Sequence, residues 1–405
     1  MISVPEAIGI VLAQTRPLGV ERVALEEAPG RVLAEEVVAD TDLPPFDRAQ
    51  MDGYAVRSED VRDAPARLRV VGEAAAGRGW RGRVGAGEAV RIMTGAPVPE
   101  GADGVQQVEV TRESEDGRFV EVGRATEPGQ FYVVRGSEIR AGQRVLEAGE
   151  EVSAAGAAVL ASFGYAEVPV GRRPRVAVLA TGSELVPVGE RPGPDQIRDS
   201  NTYSLAAYAR LAGAEVERLP FAGDEPELLQ KLIAGAAARS DLLVLSGGVS
   251  MGRYDFTKAA LEGLGAELFF ERVALRPGKP TVFARLPGGR QTLVFGLPGN
   301  PVSVSVTFNL FARAALRAMQ GARRPALAEE RAVLARPAKG AAERASYLPA
   351  ALGTDEDGRL LAEPLKWGGS SDFVAFARAA ALAIIPRGVK SADAGTVVNV
   401  VRLPA

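Results

Sequence analysis

Two spacings of apolar residues alternate through the middle of this 405-residue chain. Short apolar runs, as at 175–180 and 241–246, have the pattern of strands buried on both faces. Between them apolar residues recur every three or four positions, at 202–212, 226–238 and 257–264, the period of a helix with one buried face. Gly213 and Gly265 follow two of these helices, where a left-handed cap residue is needed. Strands over 215–220 and 292–295 and a long helix over 302–319 complete the alternation. Residues 175–320 therefore predict a doubly wound, mostly parallel α/β domain.

The flanks differ. Ile8, Val11 and Leu12 give an N-terminal helix that Pro17 and Gly19 end. Residues 46–134 break into short strand candidates at 67–71, 89–92, 104–110 and 119–122, separated by Gly and Pro turns. An Ala-rich helix over 153–163 follows, with Gly164 at its cap. Residues 325–405 return to strands, with turns at 355–358 and 386–388. The expected fold class is α/β plus β: a linker domain with helix (1–45 and 135–172), a β-rich insert domain (46–134), the central α/β domain (173–322) and a C-terminal β domain (323–405).

Composition narrows the chemistry. The net charge of −3 gives no general attraction to nucleic acid or to an anionic membrane. There is no cysteine and no histidine, which removes thiolate nucleophiles, imidazole bases and the usual zinc ligands. Oxygen donors remain, and these suit Mg²⁺. The N-terminus lacks the basic cluster of a signal peptide, and no apolar run reaches the ~18 residues of a membrane span, so a cytoplasmic location is expected.

Three loops follow three strands of the α/β domain: Thr181-Gly182-Ser183-Glu184, Ser246-Gly247-Gly248-Val249-Ser250, and Pro298-Gly299-Asn300-Pro301-Val302-Ser303. In an open parallel sheet, ligands bind beyond the carboxyl ends of the strands, so all three should face one crevice. Their glycines let backbone N–H groups approach an anion, and helix N-termini add partial positive charge. None is a phosphate-binding P-loop or a dinucleotide fingerprint. Arg272, Arg276 and Lys279 flank Pro277-Gly278, a spacing that suits a multiply charged oxyanion and equally a solvated charged face. Glu184, Asp224 and Asp255 lie in or just after strand-end loops. They are candidate Mg²⁺ ligands, although Asp224 and Asp255 can also cap the helices that follow.

These residues, with Pro44-Pro45-Phe46-Asp47, Met51-Asp52-Gly53-Tyr54-Ala55-Val56, Met93-Thr94-Gly95-Ala96-Pro97 and Asp199-Ser200-Asn201, resemble the MoeA/gephyrin E-domain family, the molybdopterin molybdenumtransferases. The resemblance runs through nearly the whole chain in order. It implies a central domain of the molybdenum-cofactor-binding type and a transferase. That enzyme takes molybdate and adenylated molybdopterin, cleaves the adenylate with Mg²⁺ and releases AMP and molybdenum cofactor. It also implies a homodimer whose site lies between subunits, with contact to the adenylyltransferase of the pathway. Under it Asp52, Thr94, Glu184, Asp224, Asp255, Arg276 and Lys279 are catalytic. Thr181, Gly182, Ser183, Asp199, Ser200, Asn201, Gly247, Gly248, Ser250, Arg272, Pro298, Gly299, Asn300, Ser303, Glu138 and Ser370 bind the substrates.

The chain departs from the family pattern at Ala49-Gln50, Val108 and Arg253, and in the last domain at Pro349, where a basic residue is frequent, and at Ala380. Arg344 is a candidate replacement for the missing cation. Two other functions remain open on the sequence: a molybdopterin adenylyltransferase, which resembles only residues 175–320, and a pterin-carrying scaffold without turnover.

Overall fold

Ser3 starts the first helix, α1 (Val4–Gln14). Its hydroxyl accepts from the Glu6 amide at 3.2 Å, and the Glu6 carboxylate accepts from the Ser3 amide at 3.3 Å. This reciprocal cap satisfies two donors that a helix end otherwise leaves open.

The alternating apolar runs form a six-stranded sheet. Its strands are β1 (Arg175–Ala180), β2 (Glu215–Arg218), β3 (Leu242–Ser246), β4 (Glu267–Arg272), β5 (Pro280–Arg285) and β6 (Leu293–Leu297), in the spatial order β2-β1-β3-β6-β5-β4. Helices α2 (Asn201–Leu211), α3 (Pro226–Ala237) and α4 (Phe256–Gly263) connect them, and α5 (Pro301–Thr307) follows β6. Both faces are buried. Val176 and Val178 of β1 join the core that includes α1, α2 and the helices after β6, while Ala177 and Leu179 join the core under α3 and α4. Double burial is why the central strands β1, β3 and β6 are apolar at nearly every position rather than every second one.

Two expectations change here. The segment around Arg272, Arg276 and Lys279 lies at the ends of an antiparallel pair, because β5 runs against both of its neighbours, β4 and β6, at one edge of the sheet. The helix expected over 302–319 is interrupted: α5 passes through a π turn (Phe308–Ala312) into α6 (Arg313–Met319).

After α6, five strands close into a ring. Ala345–Thr354 pairs with Leu360–Pro364, which pairs with Glu329–Leu334, then Val397–Arg402, then Ala381–Ile385, which returns to Ala345–Thr354. A closed ring leaves no unpaired edge. The two-residue strand Leu275–Arg276 adds to it in parallel, setting Leu275 opposite Ala345 and Arg276 opposite Ser346.

The structure, a computed structural model, describes residues 1–223, 225–248 and 256–404. They divide into one unit of Met1–Glu35, Ala148–Ala157 and Glu167–Ala405, which holds everything above, and a second of Glu36–Glu147 and Ala158–Ala166. The second unit is built on a six-stranded sheet that includes Gly53–Val56, Ala66–Ala74, Glu88–Ile92 and Phe119–Val122. The strand expected over 104–110 stops at Gln107. There the Val108 amide turns to the Asp52 carbonyl at 2.9 Å, and Val108–Val110 forms a 3₁₀ turn. Tyr54 is fully buried, yet its hydroxyl donates to Glu113 at 3.0 Å. Burial and that carboxylate push the phenol up to about 12. Among the described residues, no helix is long and apolar enough to cross a membrane.

Candidate active site

The three Gly-rich loops open onto one cavity of about 910 Å³ at the carboxyl ends of β1, β3 and β6. Thr181, Gly182 and Glu184 come from the first loop, Gly247 and Gly248 from the second, and Pro298, Gly299 and Asn300 from the third. Asp199, Ser200 and Asn201 enter at the start of α2. Ser183 is exposed and not among the lining residues.

The loops are joined by hydrogen bonds. The Asn201 amide nitrogen donates to the Ser246 hydroxyl at 2.8 Å and to the Gly299 carbonyl at 2.7 Å. The Thr181 amide donates to the Ser246 carbonyl at 2.9 Å, and the Gly247 amide to the Leu297 carbonyl at 3.1 Å. Asp199 is buried and accepts from the amide and the hydroxyl of Thr202. Arg218 donates to that hydroxyl at 3.2 Å while stacking on the Tyr203 ring.

Two glycines are required by contact. A Cβ on Gly247 (φ +94°) would stand 2.5 Å from the Thr181 carbonyl oxygen, and one on Gly248 (φ +65°) 2.6 Å from the Thr257 hydroxyl. Among the buried polar atoms of the described residues that have no protein partner are the Thr181 hydroxyl and the Asn201 amide oxygen. Both residues line the cavity. Buried polar atoms are normally paired, so these mark places where a ligand can complete the network.

A second cavity, of about 520 Å³, shares Pro280, Pro298 and Asn300 with the first. Arg276, Lys279 and Arg344 line it together with Ser303 and Ser370, and among the described residues no acidic one does. The pairing of Leu275–Arg276 with Ala345 and Ser346 is what carries Arg344 to the basic loop. That loop is pinned by Val273, whose amide donates to the Lys279 carbonyl at 3.0 Å, and by Thr281, whose hydroxyl donates to the Gly278 carbonyl at 2.8 Å. Arg276 itself donates to the Gly340 carbonyl at 3.2 Å. Asn300, at the wall common to both cavities, donates to the Ser370 hydroxyl at 3.0 Å. Arg272 is exposed and lines neither cavity.

In the second unit Thr94 donates from its amide and its hydroxyl to one oxygen of Asp52, each at 2.7 Å. These two bonds hold the Asp52 carboxyl below the usual aspartate range. Glu138 lies 3.6 Å from Arg48.

Residues 2–164 match the family model "MoeA N-terminal region (domain I and II)", residues 177–318 the model "Probable molybdopterin binding domain", and residues 331–403 the model "MoeA C-terminal region (domain IV)". The chain is 36% identical to the molybdopterin molybdenumtransferase of Bacillus subtilis, over 98% of this chain and 93% of that protein. The chain belongs to the MoeA family. It is 37% identical to the molybdopterin molybdenumtransferase of a Nostoc species, over 95% of this chain and 89% of that protein. A crystal structure of the MoeA protein of Pyrococcus horikoshii OT3 superposes with a TM-score of 0.85 at 28% identity, covering 100% of both chains.

Of the residues the MoeA resemblance singled out, Asp224, Ser250 and Asp255 lie outside the described residues. Among those described, no group of three acidic side chains could hold a metal. Residues that loop patterns did not announce also line the cavities. Gln196 and Arg198 precede the Asp199 motif, and Ser371 and Phe373 follow Ser370. Arg344, which the sequence suggested only as a replacement cation, lines the basic cavity, whereas Pro349 and Ala380 do not. Both of the latter lie instead within the pairing of the C-terminal ring, Pro349 opposite Leu382, and the Ala380 amide on the Ala350 carbonyl.

Proposed function

We propose that this protein transfers molybdenum from molybdate to adenylated molybdopterin and releases AMP, the last step of molybdenum-cofactor synthesis. The single observation that carries this reading is the pair of cavities joined at Pro280, Pro298 and Asn300. One offers glycine loops and unpaired buried polar atoms to a phosphorylated, hydrogen-bonding ligand. The other offers three cations and two hydroxyls to a tetrahedral oxyanion. A substrate lying across the shared wall would bring its sulfur-bearing end beside the oxyanion.

On this reading Thr181, Gly182, Gly247, Gly248, Pro298 and Gly299 bind the pterin and its phosphates. Asp199, Ser200 and Asn201 fix the start of α2 against them. Arg276 and Lys279, with Arg344, Ser303 and Ser370, hold molybdate. Breaking a phosphoric anhydride depends chiefly on neutralising charge and positioning the reacting groups, which this set can do without histidine or cysteine. The donor chemistry fits Mg²⁺: the Glu184 carboxylate is exposed at the cavity, and the chain has only oxygen ligands to offer. Glu184, with Asp224 and Asp255, would hold that ion, which when bound neutralises charge on the anhydride.

The same reading takes the protein to be a cytoplasmic homodimer. Asp52, Thr94 and Glu138 of one subunit would serve the cavity of the other, and contact with the pathway's adenylyltransferase would deliver the substrate. The test is direct. Purified protein given adenylated molybdopterin, molybdate and Mg²⁺ releases AMP in step with cofactor formation, and chelation of Mg²⁺ stops both. Binding without AMP release would leave only a carrier, and formation of adenylated pterin from ATP would make the protein an adenylyltransferase.

A further inference from the structure

We infer that Phe373 is a stacking platform for a planar heteroaromatic ring of the substrate and helps set which molecules the larger cavity accepts. The inference rests on the adenylated-pterin reading above, since that molecule carries two such rings, adenine and pterin.

Phe373 is the one aromatic residue among the described residues that line the larger cavity. The rest of the wall is glycine, proline, small or polar residues with two aliphatic ones, Leu185 and Ile197. It can meet phosphates, hydroxyls and N–H groups but offers no other ring face. Phe373 is 50% exposed, whereas Phe376, on the same helical turn, is 6% exposed and packs into the core. A helical turn that buries one phenylalanine to anchor itself and leaves the other at a cavity has an apolar ring available to a ligand.

The segment that carries the ring is held in place by its backbone. The Asp372 carboxylate accepts from the Gly368 amide at 2.8 Å and the Ala375 amide at 3.1 Å, closing the segment on itself. The Val302 amide at the start of α5 donates to the Ser370 carbonyl at 3.0 Å, tying the segment to the third Gly-rich loop. A backbone fixed this way has little freedom left to lose when a ligand ring settles on Phe373. Val374, the next residue, is 66% exposed and lines neither cavity, so it reports on exposure without contact.

The experiment measures equilibrium binding of adenylated molybdopterin, AMP and oxidised pterin, each separately, to the full chain by calorimetry. It uses the wild type and the variants Phe373→Ala, Phe373→Leu, Phe373→Tyr and Val374→Ala. A lost base–aromatic stack corresponds to roughly ten- to hundred-fold weaker binding. That is the expectation for adenylated molybdopterin with Phe373→Ala. Tyrosine restores it, leucine (similar bulk without a ring) does not, and Val374→Ala binds as the wild type. A parallel loss for AMP assigns adenine to the ring, and a loss for oxidised pterin alone assigns the pterin; either supports the platform. Unchanged affinity in Phe373→Ala, or full rescue by leucine, overturns it. Ring-dependent binding without AMP release on adding molybdate would refute the transfer reading and leave the platform standing. A wild type that binds none of the three refutes both.

Discussion

Thr94 gives two hydrogen bonds to a single carboxylate oxygen of Asp52, one from its amide and one from its hydroxyl, both 2.7 Å long. The amide bond is the larger cause of the lowered Asp52 pKa and the hydroxyl bond the second. In Thr94→Val the hydroxyl is lost and the amide stays, so the Asp52 pKa rises part of the way back toward the ordinary aspartate value. Carboxyl NMR titration of the two proteins reads this directly. A group whose folded pKa is depressed adds stability above its unfolded pKa and loses it as pH falls through the folded one. The stability gap between wild type and Asp52→Asn is therefore full near neutral pH and closes at acid pH, below the ordinary aspartate value. A gap that persists there would show that the carboxylate's charge contributes nothing.

Asn201 joins the start of α2 to the ends of two strands through one amide nitrogen. Asn201→Ala removes both bonds, one to the buried Ser246 hydroxyl and one to the exposed Gly299 carbonyl. At about 0.5–1.5 kcal/mol per bond the loss is roughly 1–3 kcal/mol. Asn201→Asp keeps the shape but sets a carboxylate oxygen against the Gly299 carbonyl, and should be the more damaging of the two. Chemical denaturation ranks them. An alanine variant as stable as the wild type would remove the clasp from the account of how the loops are positioned.

The loops themselves were legible because strand ends in a doubly wound sheet are marked locally, by an apolar run that stops at glycine. Gly182, Gly247 and Gly299 could be assigned to one cavity on that basis alone. The edge pair β4 and β5 was not legible. Glu267–Arg272 is only half buried and carries charge at both ends, and Pro277-Gly278 beyond it has the composition of a loop. Arg344 illustrates a different limit. It reaches Arg276 through a two-residue parallel pairing between segments far apart in the chain, and no spacing in either segment encodes that contact. Phe373 is placed by another distant tie, the Val302 amide on the Ser370 carbonyl, and was equally unreadable.

Gly278 tests how closely the basic loop is packed. Its φ is +113°, and a Cβ there would stand 2.4 Å from the Thr307 methyl carbon and 3.1 Å from Leu275 Cδ2. Gly278→Ala combines left-handed strain with overpacking against the core, at a cost of about 1–3 kcal/mol. The backbone relieves that clash by moving Arg276 and Lys279, which flank it. Weaker molybdate binding should therefore accompany the lower thermal midpoint, while binding of AMP, which does not need the basic cavity, holds. Equal loss of both ligands would mean that the whole sheet end, not this loop, has shifted.

The basic cavity carries the sharpest of these predictions, because among the described residues its three cations come from two separate segments and no acid lines it. Hydrogen bonds to charged groups contribute about 1.5–3 kcal/mol, so Arg276→Ala, Lys279→Ala and Arg344→Ala each weaken molybdate binding by roughly 10- to 100-fold. Arg344→Lys keeps the charge but loses the planar fork and should recover only part of the affinity. Added salt should weaken wild-type binding by screening, and less so in the alanine variants. Arg272→Ala is the matched control: it removes a cation from the same segment, but one that is exposed and outside both cavities. Pro349→Arg, which restores the basic residue frequent in the family, puts a charge on a buried strand position of the C-terminal ring. It should lower stability without improving molybdate affinity. An Arg272→Ala variant as impaired as Arg344→Ala would indicate that the segment attracts the oxyanion by its general charge rather than by the cavity geometry.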